Sequence, residues 1–420
     1  MQRMKTLILA LIVFLGRAAA AEAGLYSIEE PPGQPKAGVR ALAPDRFQSG
    51  YYQELMQIAN AGLDDKFKKY AAAKDEDERQ KALAEMRPED RGLLSYYQLR
   101  RKYQDRRAER ERKQRRGGFS VEDRINLSYY YLRLGQPAEA LGVLKVPEAQ
   151  AARHFMVFAN LGTAYQVMAG GGSPKDRARN LGDALLYLRE AQGAWPRQWP
   201  KWTKDQADWF KEAEKQQIAL VRLRLREAVR AGAGSGPATD APPFADVDAL
   251  FPVHFVGEGG KYEAGKLAAA ERAKLKGNEV ALVQQLLTWL PGDSRLYWLY
   301  GELLNAEGDV ATAQRILEDC VKNRLLSNVT LLRDHRNVLN EAKVKRPEVA
   351  DLLPTPPSQE AAPSDSGNQS GESGGWQPSV GQVVLVGGVG GLVIAVLAYL
   401  QIKEIRRRRL SRGEVRRDRS

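Results

Sequence analysis

Cysteine occurs once in the 420 residues, at position 320, and histidine only three times, at 154, 254 and 335. A lone thiol forms no intramolecular disulfide and three scattered imidazoles offer no metal cage, so stability must come from packing. A phosphate loop is missing too, because "GEGG" at 257–260 lacks the Lys-Ser/Thr that would have to follow it. No histidine has an evident nucleophile or ligand partner, and no cofactor motif is found, which points away from an enzyme. Broad positive charge is also absent, although the net charge is +12. Positions 403–420 carry +6 and positions 1–17 carry +3, which leaves +3 for everything between. Within that remainder the run 100–116, RRKYQDRRAERERKQRR, is itself +7. The rest is slightly acidic, so a nucleic-acid partner is not expected.

Long apolar runs occur only near the two ends. Residues 1–23 place Arg3 and Lys5 before the apolar stretch Thr6 to Gly16, and a small-residue run ends at Ala21-Glu22-Ala23. This is the pattern of a signal peptide, since a stretch of about 11 residues rises only about 16 Å as a helix against a hydrocarbon core of roughly 30 Å. Residues 380–402, VGQVVLVGGVGGLVIAVLAYLQI, are uncharged throughout. They would rise about 34 Å, which predicts a transmembrane helix. The basic tail 403–420 marks the cytoplasmic side. A single-pass membrane protein is expected, its N-terminal ectodomain extracytoplasmic, periplasmic or luminal. Within the span Gly387 and Gly391 have the small-xxx-small spacing of a candidate homodimer contact. Residues 354–378, rich in Pro, Ser, Gly and Glu, read as a disordered spacer.

Between these ends the pattern is helical. Residues 45–117 predict a charged helical region ending at Gly117-Gly118, in which 100–116 reads as a solvated helix face with acid-base pairs. The stretch VRLRLR at 221–226 alternates like a strand, but its flanks are strong helix formers, and Phe210, Ile218, Val221, Leu225 and Val229 share one helical face. It is therefore read as helix. A short linker, 233–243, separates two blocks, 118–232 and 244–353. Four of seven tryptophans fall in AWPRQWPKWTKDQADWF, 194–210. Trp195, Trp202 and Trp209 are read as packing, Thr203 to Gln206 as a capping box, and Trp199, between two prolines, as an exposed contact.

An internal repeat explains much of this. Phe158, Leu161, Gly162 and Tyr165 have the spacing aromatic-x2-Leu-Gly-x2-Tyr, followed by Ala184, Leu188 and Pro196. Leu127 and Tyr131 stand in the same register one unit earlier, with Gly135, Ala140 and Leu144 after them. Beyond Pro291 a third unit offers Tyr297, Tyr300, Gly301, Leu304, Gly308, Ala313, Leu317 and Cys320. These units resemble the tetratricopeptide repeat, a helix-turn-helix of about 34 residues, which is also the step from Leu127 to Leu161. Departures are Arg124 in place of an aromatic and a lengthened turn, MAGGGSPKDR, in the second unit.

The resemblance implies an all-α, TPR-like helical-hairpin solenoid, here joined to a single C-terminal transmembrane helix. It also implies a concave groove for a protein or peptide partner, with Tyr129, Arg133, Thr163, Gln166, Trp298, Glu302 and Asn305 facing it. Trp298 is read either as an exposed interface anchor or as covered by a neighbouring helix. A non-enzymatic scaffold is the leading expectation, with a polyanion or cell-wall glycan binder using 100–116 and an exposed tryptophan as the alternative. The triplets NLS at 126, NVT at 328 and NQS at 368 fit a glycosylation pattern.

Overall fold

A computed structural model describes residues 25–29, 41–197, 202–233, 246–324 and 326–345. The chain divides after residue 352 into two units, and every described residue belongs to the first. The expectations for 1–23, for 354–378, 380–402 and 403–420 with Gly387 and Gly391, and for Trp199 lie outside the described residues. Among the described residues all regular structure is helical, and no helix is long and apolar enough to cross a membrane.

A π-helical turn at Phe47–Tyr52 leads into α1 (Gln53–Ala59), and four short helices between Gly62 and Arg91 lead to α2 (Leu94–Arg116). Helix α2 stops at Gly117 and Gly118, with φ of 86° and 71°, a left-handed backbone that only glycine adopts cheaply. Its apolar residues are few but aromatic. Tyr97 stacks on Phe67 at 4.6 Å, and Tyr103 meets Tyr129 and Tyr130, so one side of this charged helix is fastened by rings.

The three expected hairpins are present. Helix α3 (Val121–Arg133) pairs with α4 (Pro137–Leu144), α5 (Phe155–Met168) with α6 (Pro174–Gly193), and, after α7 (Lys204–Ala233) and α8 (Glu279–Trp289), α9 (Ser294–Ala306) with α10 (Val310–Asn323). Helix α11 (Thr330–Lys345) packs on α10. Ser120 and Asp123 form a reciprocal capping box that starts α3. Thr203 and Gln206 do the same for α7, through N–H donations of 2.8 and 3.3 Å. Tight approach within two hairpins depends on missing Cβ atoms. A Cβ at Gly162 would lie 2.6 Å from Leu188 Cγ and 3.2 Å from the Ala184 carbonyl oxygen, and one at Gly301 would lie 2.5 Å from Leu317 Cδ1.

The stretch 221–226 is helical, inside α7. Val229, grouped with its inner face by periodicity, is exposed, because Ala228 takes the buried position and the inner stripe there advances by three residues instead of four. The two blocks flanking 233–243 share one continuous hydrophobic cluster, from Tyr26 and Phe47 to Leu339. An ionic lattice reinforces that junction. Arg224 of α7 pairs with the buried Asp248 at 2.5 Å and with Asp293, while Arg295 reaches Asp248 at 3.1 Å and Glu227 at 2.6 Å. Burial works against the Arg224 charge, but the two aspartates outweigh it and hold the guanidinium protonated.

Candidate functional site

Helices α3 and α5 carry asparagines at matching positions, Asn126 two residues after Arg124 and Asn160 two residues after Phe158, and both reach the same non-helical stretch of main chain. Asn160 accepts the Tyr26 N–H at 2.9 Å and donates to the Tyr26 carbonyl oxygen at 3.0 Å. Asn126 accepts the Ile28 N–H at 2.8 Å and the Ser27 hydroxyl at 2.9 Å. Outside a helix these main-chain groups need other partners, which the two carboxamides supply. Residues 25–27 are buried in consequence.

The Tyr26 ring enters a pocket of five aromatic rings. Phe155 lies at 5.3 Å, Trp202 at 5.7 Å, Trp289 at 6.3 Å, and Trp195 and Phe210 at 6.4 Å between centroids, in edge-on and tilted arrangements favoured by ring quadrupoles. Two tryptophans of the rich stretch are thereby accounted for, since Trp195 follows α6, Trp202 precedes α7, and both wall this pocket. At its floor the Tyr26 hydroxyl donates to Glu214 Oε1 at 2.8 Å. Glu214 Oε2 has no partner. Burial pushes the Glu214 carboxyl up to about 8, offset only in part by the tyrosine's hydrogen bond. At neutral pH the group is mostly a neutral acid. The far end of the strand is also held, since Glu29 accepts the Tyr130 hydroxyl at 2.7 Å and pairs with Arg110 of α2.

The basic run is thus partly committed inside the fold. Arg100 is buried against Asp64 at 2.7 Å and the Ile58 carbonyl at 2.5 Å, and Lys113 joins Arg110 on Asp123. Reading all of 100–116 as a solvated face is corrected for Arg100, whose guanidinium ties α2 to α1. The acid-base pairing expected of the run is present, as in Arg107–Glu111 at 3.2 Å.

All seven groove residues expected from the resemblance are buried. Tyr129 packs on Tyr130 under the Arg133 guanidinium, and Arg133 donates to the Thr288 carbonyl at 2.7 Å. Thr163 and Gln166 both accept from Gln217 of α7, at 3.1 and 2.9 Å. Asn305 holds the main chain of 263–265, accepting the Gly265 N–H at 2.7 Å and donating to the Glu263 carbonyl at 3.1 Å. Trp298 is fully buried and donates to Glu302 Oε1 at 2.6 Å, and His335 Nδ1 lies 2.9 Å from the same oxygen. Of the two readings of Trp298 the covered one holds and the exposed anchor is corrected: α11 contributes His335, stacked on Tyr262, as part of its cover.

Asn126, Asn160, Glu214, Gln217 and Gln284 are not among the positions the resemblance supplies. Gln284 brackets Leu42 as Asn160 brackets Tyr26, accepting its N–H at 2.8 Å and donating to its carbonyl at 2.9 Å. The one-repeat spacing of Asn126 and Asn160 is legible in the sequence. Nothing local marks the other three. Asn126, the first of the glycosylation triplets, is buried and bonded, which removes it as an acceptor site.

Among the described residues no cluster of His, Cys, Asp or Glu is placed to hold a metal ion. The Cys320 thiol is buried and pushed up by that burial, which leaves it protonated and unreactive. His154 caps α5, accepting the Met156 N–H, and burial lowers its basicity. No family model, no curated protein and no solved structure matches the chain.

Proposed function

We propose that the protein is a non-enzymatic, membrane-anchored scaffold whose TPR-like hairpins bind a protein or peptide partner on the exported side. The observation that carries this reading is the pair of asparagines in repeat register, each bonded to main chain of the segment 26–28. Groups spaced in this way grip main chain regardless of its side chains, which is what a peptide groove requires. Anchoring rests on the apolar run 380–402 and the basic tail, export on residues 1–23, and self-association on Gly387 and Gly391.

The polyanion reading draws on a shallow hollow beside α2, of about 610 Å³, lined by Arg79, Arg101, Lys102, Arg106 and Arg112. Asp105 and Glu109 share that lining, and much of the adjacent run is paired within the fold, so it ranks second.

Crosslinking in native membranes tests the scaffold. A defined protein partner retained at high salt supports it, whereas capture only of anionic polymer, lost steeply as salt rises, overturns it in favour of the second reading. Topology is checked in sealed membranes with the cytoplasmic side outward. Protease should trim the Arg-rich tail and spare the large domain, and the reverse pattern would sink the anchoring.

A further inference from the structure

We propose that the Ala23–Gly24 peptide bond is the processing site of the chain, and that a membrane-bound signal peptidase can cut it only until residues 25–29 take their buried places. The inference rests on the export part of the scaffold reading and adds where the leader is removed and what closes the opportunity.

Ahead of the bond, Ala21-Glu22-Ala23 offers small residues at the two positions that such a cut requires. Hydrolysis breaks the C–N bond, with water giving its hydroxyl to the Ala23 carbonyl carbon and a proton to the Gly24 nitrogen. A carboxylate leaves with the leader, and an ammonium starts the mature chain. The fold bounds the position from the other side. Leu25 is buried among Ile58, Tyr103, Tyr130 and Leu134, and Tyr26 belongs to the main core. A cut beyond Gly24 would set the new ammonium on a residue that the core has taken, at the cost of burying a charge.

The same burial closes the site. Proteases cut where the chain is exposed and free to enter their cleft. Each residue spans at most about 3.5 Å, which keeps the Ala23–Gly24 bond within roughly 7 Å of the Leu25 Cα. The residues that must follow the bond into a cleft are therefore those already held: Leu25 in its apolar cluster, Tyr26 by Asn160 and Glu214, Ser27 and Ile28 by Asn126. Beyond them Glu29 is held by Tyr130 and Arg110. On the membrane side, residues 17–24 separate the apolar leader from Leu25, roughly 28 Å at full extension. The bond stands at the far end of that gap, against the folded body. Cutting a seated chain needs these contacts opened together, and its rate falls with the population of the open form. Leader removal comes first and docking of 25–29 second, and a chain that docks first keeps its leader.

The test uses the full chain with its leader, folded in detergent micelles before purified signal peptidase is added. It should be cut about a hundredfold or more slowly than the same chain with a six-residue Gly-Ser spacer between Gly24 and Leu25. The spacer moves the bond about 20 Å from the fold and leaves every buried contact in place. Equal rates overturn the closing of the site. Should the leader prevent folding in micelles, the comparison in cells decides. Precursor accumulated while the host's peptidase is depleted should stay uncut when the enzyme is restored, whereas the spacer chain is processed, and prompt cutting of both overturns the proposal. N-terminal sequencing of the chain processed in cells should read GLYSIEE. A mature chain starting elsewhere overturns the site and leaves export standing, whereas a chain on the cytoplasmic side with residues 1–23 intact overturns export and the site with it.

Discussion

Asn126 and Asn160 stand one repeat length apart in sequence, yet they bond to neighbouring positions of a single strand, Ile28 and Tyr26. A separation of 34 residues along the helices becomes a separation of two residues along the bound segment. That conversion needs α3 and α5 to lie side by side with the same rotation, and it is the sharpest sign that the first two hairpins are structural repeats.

Gly162→Ala and Gly301→Ala should each lower stability by about 1–3 kcal/mol, because the added Cβ meets buried side chains well inside contact distance. Gly142→Ala, in the exposed middle of α4 with nothing near its Cβ, should gain about 0.5–1 kcal/mol from the unfolded state. Denaturant unfolding of the three variants decides it, and equal effects would refute the hairpin-contact account.

Trp298→Ala should cost about 3–5 kcal/mol, the usual range for deleting a large buried aromatic. Glu302 loses a donor as well, with His335 left as the neighbour of that oxygen. A variant with an unaltered melting curve would return Trp298 to the surface.

Arg224→Met should destabilise by about 3–5 kcal/mol, since it strips the buried Asp248 of one of its two guanidinium partners. The double change Arg224→Met with Asp248→Asn should recover part of that loss. Should both variants unfold at the wild-type midpoint, the ionic lattice contributes nothing to joining α7 and α9.

Glu214 makes stability fall as pH rises. Its folded value of about 8 stands above the ordinary 4.5, so between those values the native state carries a proton that the unfolded chain has released. The slope from this group reaches about −1.4 kcal/mol per pH unit and flattens above its folded value. Glu214→Gln should remove that component, seen as a pH-dependent difference between the two chains in chemical denaturation. Parallel curves from about pH 5 to about pH 8 would count against a buried, protonated carboxyl.

The helical class and the hairpins were legible because they depend on local rules: periodicity, the cap at Thr203, the glycines at 117 and 135, and small residues at 162 and 301. The positions expected to line a groove are instead buried inside the fold. Tyr129, Thr163, Gln166, Trp298 and Asn305 do face inward, yet the inner surface is covered by α7, by 263–265 and by 25–29, and which remote segment covers a groove is not written in any window of residues. Glu214 shows the limit most plainly. In KEAEKQ it looks like one more charge on a solvated helix, and only the burial of α7 against α5 and Tyr26 makes it a neutral acid.

The long reach of the Tyr26 strand also sets an order of events during synthesis. Asn160 lies 134 residues after Tyr26, and Glu214 lies 188 residues after it. A ribosome adding about 5–20 residues per second needs roughly ten to forty seconds to bring the carboxyl into being after the tyrosine has been made. For that interval the strand has no seat, and its apolar residues are open to chaperones and to other nascent copies. Closing such a distant contact is a late step, so the hairpins should gain protection first and the amides of 25–29 last when the chain refolds.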